Sequence, residues 1–238
     1  MYHRKYSTGP SSIDLSFEEY IPSNGNKTSG AVVILHGLFG SKRNFASLCK
    51  AFLRDLNRPI YALDLRNHGS SAHVQPMTYE AMAADVRHFI TEHELKDVSI
   101  LGHSMGGKVA MTLALSPSPP DLANLIISDI APTRLSLSPA FRRYLGVMAR
   151  ITDPVSNIRT REEADSALKA EEKDLSVRQF LLTNLIAPSR SSNETVKFKI
   201  PVDILADAIV DIGSFPYTPD GSHTWQGRTL VVKGAKSE

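Results

Sequence analysis

Ser104 stands in Gly102-His103-Ser104-Met105-Gly106, with the apolar run Val98-Ser-Ile-Leu101 before it and a helix-forming stretch, Val109 to Leu115, after it. A serine between two glycines at a strand-to-helix junction is the setting of a nucleophile elbow, in which the hydroxyl is lifted clear of the backbone to attack an acyl carbon. That turn is expected to hold Ser104 in a strained conformation. Side chains at 102 and 106 would collide across it, hence the glycines.

Acyl transfer passes through a tetrahedral oxyanion, which two preorganised backbone N–H groups stabilise by about 3 kcal/mol each. The N–H of Met105, next after the nucleophile, is one candidate donor. The other comes from the loop His36-Gly37-Leu38-Phe39-Gly40 after the apolar run 31–35; Leu38 is the first choice there and Phe39 the alternative. Asp129 closes the run Leu125-Ile-Ile-Ser-Asp129, expected beside the nucleophile strand, where a carboxylate at the carboxyl end reaches the crevice. Its task would be to orient a histidine, with a strand-terminal Asx-turn as the competing reading.

His36 and His103 are the nearby histidines. His103 precedes Ser104 on the strand, so its side chain is expected on the opposite face, and His36 is expected to pin the loop by hydrogen bonding. Asp64-Leu-Arg-Asn-His-Gly-Ser-Ser71 reads as a strand-end turn held by a local polar network, with His68 and His73 partly exposed. Cys49, the only cysteine, falls on the apolar face of a helix and reads as core. No metal-ligand cluster, phosphate loop or dinucleotide glycine pattern is present, so neither metal nor cofactor is expected.

These residues need a scaffold. Ile13, Leu15 and Phe17 alternate as a half-buried strand, while 31–35, 59–63, 98–101, 125–127 and 229–232 are apolar strand-like runs. Amphipathic helices are expected at Phe45–Leu53 and Tyr79–His93. Strands alternating with helices predict an α/β fold with a mostly parallel sheet flanked by helices. After Pro132 the pattern turns helical, at 139–150, 161–172, 175–187 and 201–213. Residues 133–215 are thus expected to be a cap inserted over the active-site edge of one domain, 12–238. Glu162, Glu163, Glu171 and Glu172 read as a solvated helix face.

A length of 238 residues, 42% of them hydrophobic and 22% charged, is ordinary for one soluble domain. The net charge of +2 leaves no nucleic-acid footprint, and no run is long enough to span a bilayer. Nothing in the pattern specifies an oligomer. Residues 1–11 carry Arg4, Lys5 and several hydroxyls but no acid, as in the end of a mitochondrial presequence. A cytoplasmic tail is the alternative.

Gly102-His-Ser-Met-Gly-Gly-Lys108, Ser128-Asp-Ile-Ala-Pro132, His36-Gly-Leu-Phe-Gly-Ser41, Asp64-Leu-Arg-Asn-His-Gly69 and Val177-Arg-Gln-Phe-Leu-Leu-Thr-Asn-Leu185 together resemble one branch of the α/β-hydrolases. That branch holds the mitochondrial α/β-hydrolase domain-containing protein 11 type, small bacterial esterases and the yeast ethanol acetyltransferases. The resemblance implies an α/β-hydrolase fold, Asp129 as triad acid, and hydrolysis of, or acyl transfer from, small carboxylic esters or thioesters. It also implies a base histidine after a further strand, which no residue here matches. By that comparison the chain stops before the last strand and helix, which would bare a sheet edge. His223, the one late histidine, precedes a strand instead of following one. Losing a triad member lowers rates by about 10⁴ to 10⁶, so a catalytically impaired or non-enzymatic binding protein is the third functional expectation.

Overall fold

The computed structural model describes residues 12–134, 137–189 and 192–235, so the expectation for residues 1–11 falls outside it. The apolar runs form strands β1 (Phe17–Tyr20), β2 (Val32–Leu35), β3 (Ile60–Leu63), β4 (Val98–His103) and β5 (Leu122–Ser128). A short ribbon, β6 (Leu185–Ile186) with β7 (Lys197–Phe198), and the edge strand β8 (Arg228–Val232) follow. The main sheet runs β1-β3-β2-β4-β5-β8 in space, parallel throughout except where β1 meets β3. It is the mostly parallel, helix-flanked sheet that the residue pattern predicts.

Both sheet faces are covered, which is why these strands lack polar alternation. Val32, Ile34, Ile60, Ala62 and Leu101 pack around Cys49 of helix α1 (Ala46–Leu56). Val33, Leu35, Tyr61, Leu63 and Ile100 face the larger core with α2 (Tyr79–Glu92) and α3 (Met105–Ala114). Burial raises the Cys49 thiol to about 11, so it stays protonated and packs as a small apolar group. Leu230, Val231 and Val232 of β8 are exposed.

Between β5 and β8 lie α4 (Pro139–Thr152), α5 (Arg161–Lys169), α6 (Leu175–Leu181), α7 (Val202–Asp207) and α8 (Ile209–Gly213). Their starts are locally encoded: Pro139 sits in the first turn of α4, and Thr160 with Glu163 forms a capping box on α5. Tyr144, Leu145, Met148, Leu168 and Leu181 bury their apolar faces in the common core. One side chain fastens both ends of this helical segment to α3. The buried Lys108 ammonium donates to the carbonyls of Thr133 (2.9 Å), Gly213 (2.9 Å) and Ser214 (2.8 Å). Its pKa is lowered by burial, and the three carbonyl dipoles replace the water it gave up.

Three sequence expectations are corrected. Residues 13–16 are not strand, because the Ile13 N–H goes to the Asp85 carboxylate and the Ser16 N–H to the Ser71 hydroxyl. The helix expected over 175–187 ends at Leu181, and after a single 3-10 turn the chain extends into β6 to pair with β7. The helix expected over 201–213 is broken at Ala208, where ψ is −1°. The glutamates do more than face solvent: Glu172 accepts from the Tyr144 hydroxyl, and Glu171 pairs with Arg150.

Replacing Lys108 by methionine leaves one buried and two partly buried carbonyls without their charged donor. It should lower unfolding free energy by about 2–4 kcal/mol. Urea denaturation with an unchanged slope measures it, and a loss under ~0.5 kcal/mol would show that the ammonium contributes little.

Candidate functional site

β4 runs straight into α3 through Ser104, whose φ of +52° and ψ of −118° lie where a side chain is strained, at a cost of roughly 1–3 kcal/mol. The turn closes tightly. A Cβ at Gly102 would lie 2.3 Å from the Gly106 carbonyl oxygen, and one at Gly106 would lie 2.4 Å from the Leu35 carbonyl oxygen. Only bare backbone allows α3 to begin that close to β2. The Ser104 N–H donates to the Ser128 carbonyl (2.9 Å), tying the Ser104 peptide to the end of β5.

The loop after β2 is a hydrogen-bonded turn, with the Gly40 N–H on the Gly37 carbonyl at 2.9 Å. The Phe39 N–H is already committed to His68 Nε2 at 3.2 Å. Leu38 and Met105 have no backbone hydrogen bond from their N–H groups among the described residues. Of the two donors left open by the sequence, Leu38 is therefore the one available to a ligand.

Two buried histidines support this loop. His36 Nε2 accepts from the Leu65 N–H (3.0 Å), so its Nδ1–H donates to the Gly37 carbonyl (2.8 Å). His68, accepting at Nε2, donates from Nδ1 to the Arg66 carbonyl (3.0 Å). Burial drives both rings neutral, to a pKa of about 4 for His36 and about 3 for His68. The expectation that His36 pins the loop agrees with these bonds. The expectation that His68 is partly exposed is corrected: it is fully buried, because its ring is the acceptor for Phe39, whereas His73 is exposed. Nearby, burial opposes ionisation of Asp64, but the Lys42 ammonium and the N–H groups of Lys42 and Ser70 outweigh it and hold its carboxyl below the ordinary range.

A cavity of about 550 Å³ opens at the carboxyl end of the sheet. Ser104, Leu38, Ser128 and Val232 border it, and Phe141 of α4 and Phe180 of α6 close it from the helical segment. It continues over the α1 face of the sheet along Leu101, Ile126, Phe45 and Leu48. His103 lies on the Leu101 face of the strand, as alternation requires, and lines this extension rather than bonding to Ser104. A wider groove of about 700 Å³ between α4 and α7 contains none of the candidate residues.

Asp129 follows β5 with φ +54°. Its N–H donates to the Val232 carbonyl (2.8 Å) and its carboxylate accepts from the Gly234 N–H, so it sits at the β5–β8 end of the same rim. It does not itself line the cavity. His223 is far off: it bonds to the Leu115 carbonyl at the other end of α3 and stacks on Tyr217. Eleven residues of helical rise separate that point from Ser104, roughly 16 Å.

Sequence reasoning missed Asp85 and Lys108, although a signal existed. Asp85 lies three residues after Met82 and four before Phe89, on the buried face of α2. It forms a buried two-point pair with Arg66 at 2.6 and 2.7 Å. A charge at an inward helical position demands such a partner.

A parallel sheet with a strained serine at its carboxyl rim, and an open amide opposite, defines an acyl-transfer class of α/β protein. The chain belongs to the alpha/beta hydrolase fold family, whose model matches residues 30–188. It is 35% identical to the sn-1-specific diacylglycerol lipase ABHD11 of Xenopus laevis, over 94% of this chain and 69% of the relative. It is 40% identical to a probable alcohol acetyltransferase of Saccharomyces cerevisiae, over 87% of this chain and 63% of the relative. Among solved structures, a marine microorganism esterase superposes with a TM-score of 0.78 at 32% identity, covering 94% of this chain and 82% of that one.

The neutral histidines fix a pH dependence. Their folded pKa values lie below the ordinary 6.5, so the unfolded chain binds more protons between about pH 4 and 6.5. Their contribution is complete above pH 6.5 and is lost as pH falls through about 4 and then about 3. Unfolding free energy should decline by up to about 1.4 kcal/mol per pH unit for each ring as pH drops below 6.5. A flat profile from pH 7 to 4.5 would contradict buried neutral rings.

Proposed function

We propose that the chain is a serine hydrolase of small carboxylic esters or thioesters. In this reading Ser104 is the nucleophile, Leu38 and Met105 supply the oxyanion donors, Asp129 is the triad acid, and residues 133–215 act as a cap over the acyl site. The observation that carries it is a serine at positive φ on the mouth of an apolar cavity. Ser104 Oγ bonds to the acyl carbon, its proton passes to a base, and the carbonyl electron pair moves onto oxygen between the two N–H groups. Collapse expels the alcohol or thiol with a proton, leaving an acyl-serine that water cleaves to the acid. Asp129 would orient the base's imidazole and stabilise its charged form; that histidine is not identified among the described residues.

Phe45, Leu48, Leu101 and Ile126 offer a hydrocarbon surface to the acyl group. The names of the lipase and esterase relatives support an ester substrate. A second reading, an alcohol in place of water as acceptor, is favoured by the acetyltransferase relative. The basic, hydroxyl-rich stretch within residues 1–11 supports a mitochondrial address, which import into isolated mitochondria would test.

Incubation with a fluorophosphonate probe should label the wild-type chain at Ser104 and leave Ser104→Ala unlabelled. Equal labelling of the two would remove the hydrolase reading. Supplying an acyl ester with rising ethanol then separates the acceptors. Acid as the constant product identifies a hydrolase, and new ester growing with ethanol identifies a transferase.

A further inference from the structure

We propose that Asn184 is a positioning residue that fastens the helical segment to the oxyanion wall, by holding the Phe39 carbonyl and with it the Gly37–Gly40 turn that carries the Leu38 N–H. The proposal rests on the acyl-transfer reading above. Asn184 lies in the 3-10 turn after α6, only 5% exposed, and its Nδ2 donates to the Phe39 carbonyl at 2.8 Å. Its own carbonyl accepts from the Lys199 N–H at 2.8 Å, so the β6–β7 ribbon braces it from behind.

Phe39 needs this hold. The Gly37–Gly40 turn has Phe39 at its third position with φ +64°, while Leu38 is not among the positive-φ residues. That is the type II pattern, whose third position favours glycine or asparagine because a side chain there is strained. A phenylalanine relaxes by rotating the Leu38–Phe39 peptide toward type I, which restores a negative φ. Two bonds hold the turn, one on each peptide plane flanking the Phe39 Cα: the one to His68 opposes the rotation directly, and the one from Asn184 anchors the peptide that follows. His68 accepts from the N–H on the sheet side, and Asn184 donates to the C=O from the helical side. His68 belongs to the body of the fold, whereas Asn184 lies in the turn that directly follows α6, which brings Phe180 to the cavity. The Phe141 ring lies 6.0 Å from that of Phe39, so the helical segment touches the turn a second time. Seating of the helical segment and geometry of the oxyanion donor are therefore one event.

The test compares wild type with Asn184→Asp, which keeps the size but turns the donor into an acceptor. Asn184→Leu, similar in size and without polar atoms, serves if the aspartate variant does not fold. Thr183→Ala is the control, because its hydroxyl bonds only to Phe180 within its own turn. Amide hydrogen exchange resolved by NMR should show the Phe39 N–H exchanging about tenfold faster in the Asn184 variant, the factor expected for one hydrogen bond. Amides of β4 and α3 should remain as in wild type. Hydrolysis of a short p-nitrophenyl ester should lose about tenfold in kcat with KM nearly unchanged. Phe39 exchange equal to wild type overturns the proposal. So does protection lost evenly across α4–α8, which would mark a packing role only. If wild type shows no Ser104-dependent turnover, the acyl-transfer reading fails, while the exchange result still decides whether Asn184 holds the turn.

Discussion

Close approach of bare backbone at the elbow is the constraint on which the rest depends. The first turn of α3 lies against the end of β2, with no room for a Cβ between Gly106 and the Leu35 carbonyl. That contact sets Ser104 and Met105 beside the loop holding Leu38. A side chain at 106 would push α3 off the sheet and carry Met105 away from that loop. The strain is not confined to Ser104. Phe39, Asn67, Ser104 and Asp129 all have positive φ, and each follows one of the consecutive parallel strands β2, β3, β4 and β5. Left-handed non-glycine residues thus line one rim of the sheet, where chain reversals must aim side chains at a common crevice.

Strain of that kind persists only where surrounding bonds over-determine it. Here they are polar groups buried without charge, or with a charge that is paired or fully hydrogen-bonded. His36 and His68 serve as neutral acceptors for N–H groups of the rim loops. Arg66 and Asp85 lock the loop after β3 to α2, and Lys108 locks α3 to both ends of the helical segment. Each of these would be costly alone and is tolerated because its partners are complete.

Much of this was legible in the residues. The runs at 31–35, 59–63 and 98–101 gave the parallel sheet, because strands covered on both faces must be continuously apolar. The glycines of the elbow gave the strained serine only together with the apolar strand before it, the helix-forming stretch after it and the upstream glycine pair at 37 and 40. The choice between Leu38 and Phe39 was not legible. It depends on His68 arriving from 29 positions away in the chain to take one of the two N–H groups. Local pattern also extended β1 back to Ile13 and ran a helix through 187. Side-chain acceptors from Asp85 and Ser71 and the pairing of β6 with β7 override it, and those are tertiary facts. Asn184 carried no signal beyond its place in a motif.

The most direct measurement is a crystal structure of the phosphonylated protein, with the probe's phosphorus standing in for the tetrahedral carbon. A covalent bond from Ser104 Oγ, with the phosphoryl oxygen about 3 Å from both the Leu38 and Met105 nitrogens, is the predicted result. A phosphoryl oxygen turned to solvent, or bonded to the Phe39 nitrogen after His68 has let it go, would contradict the account.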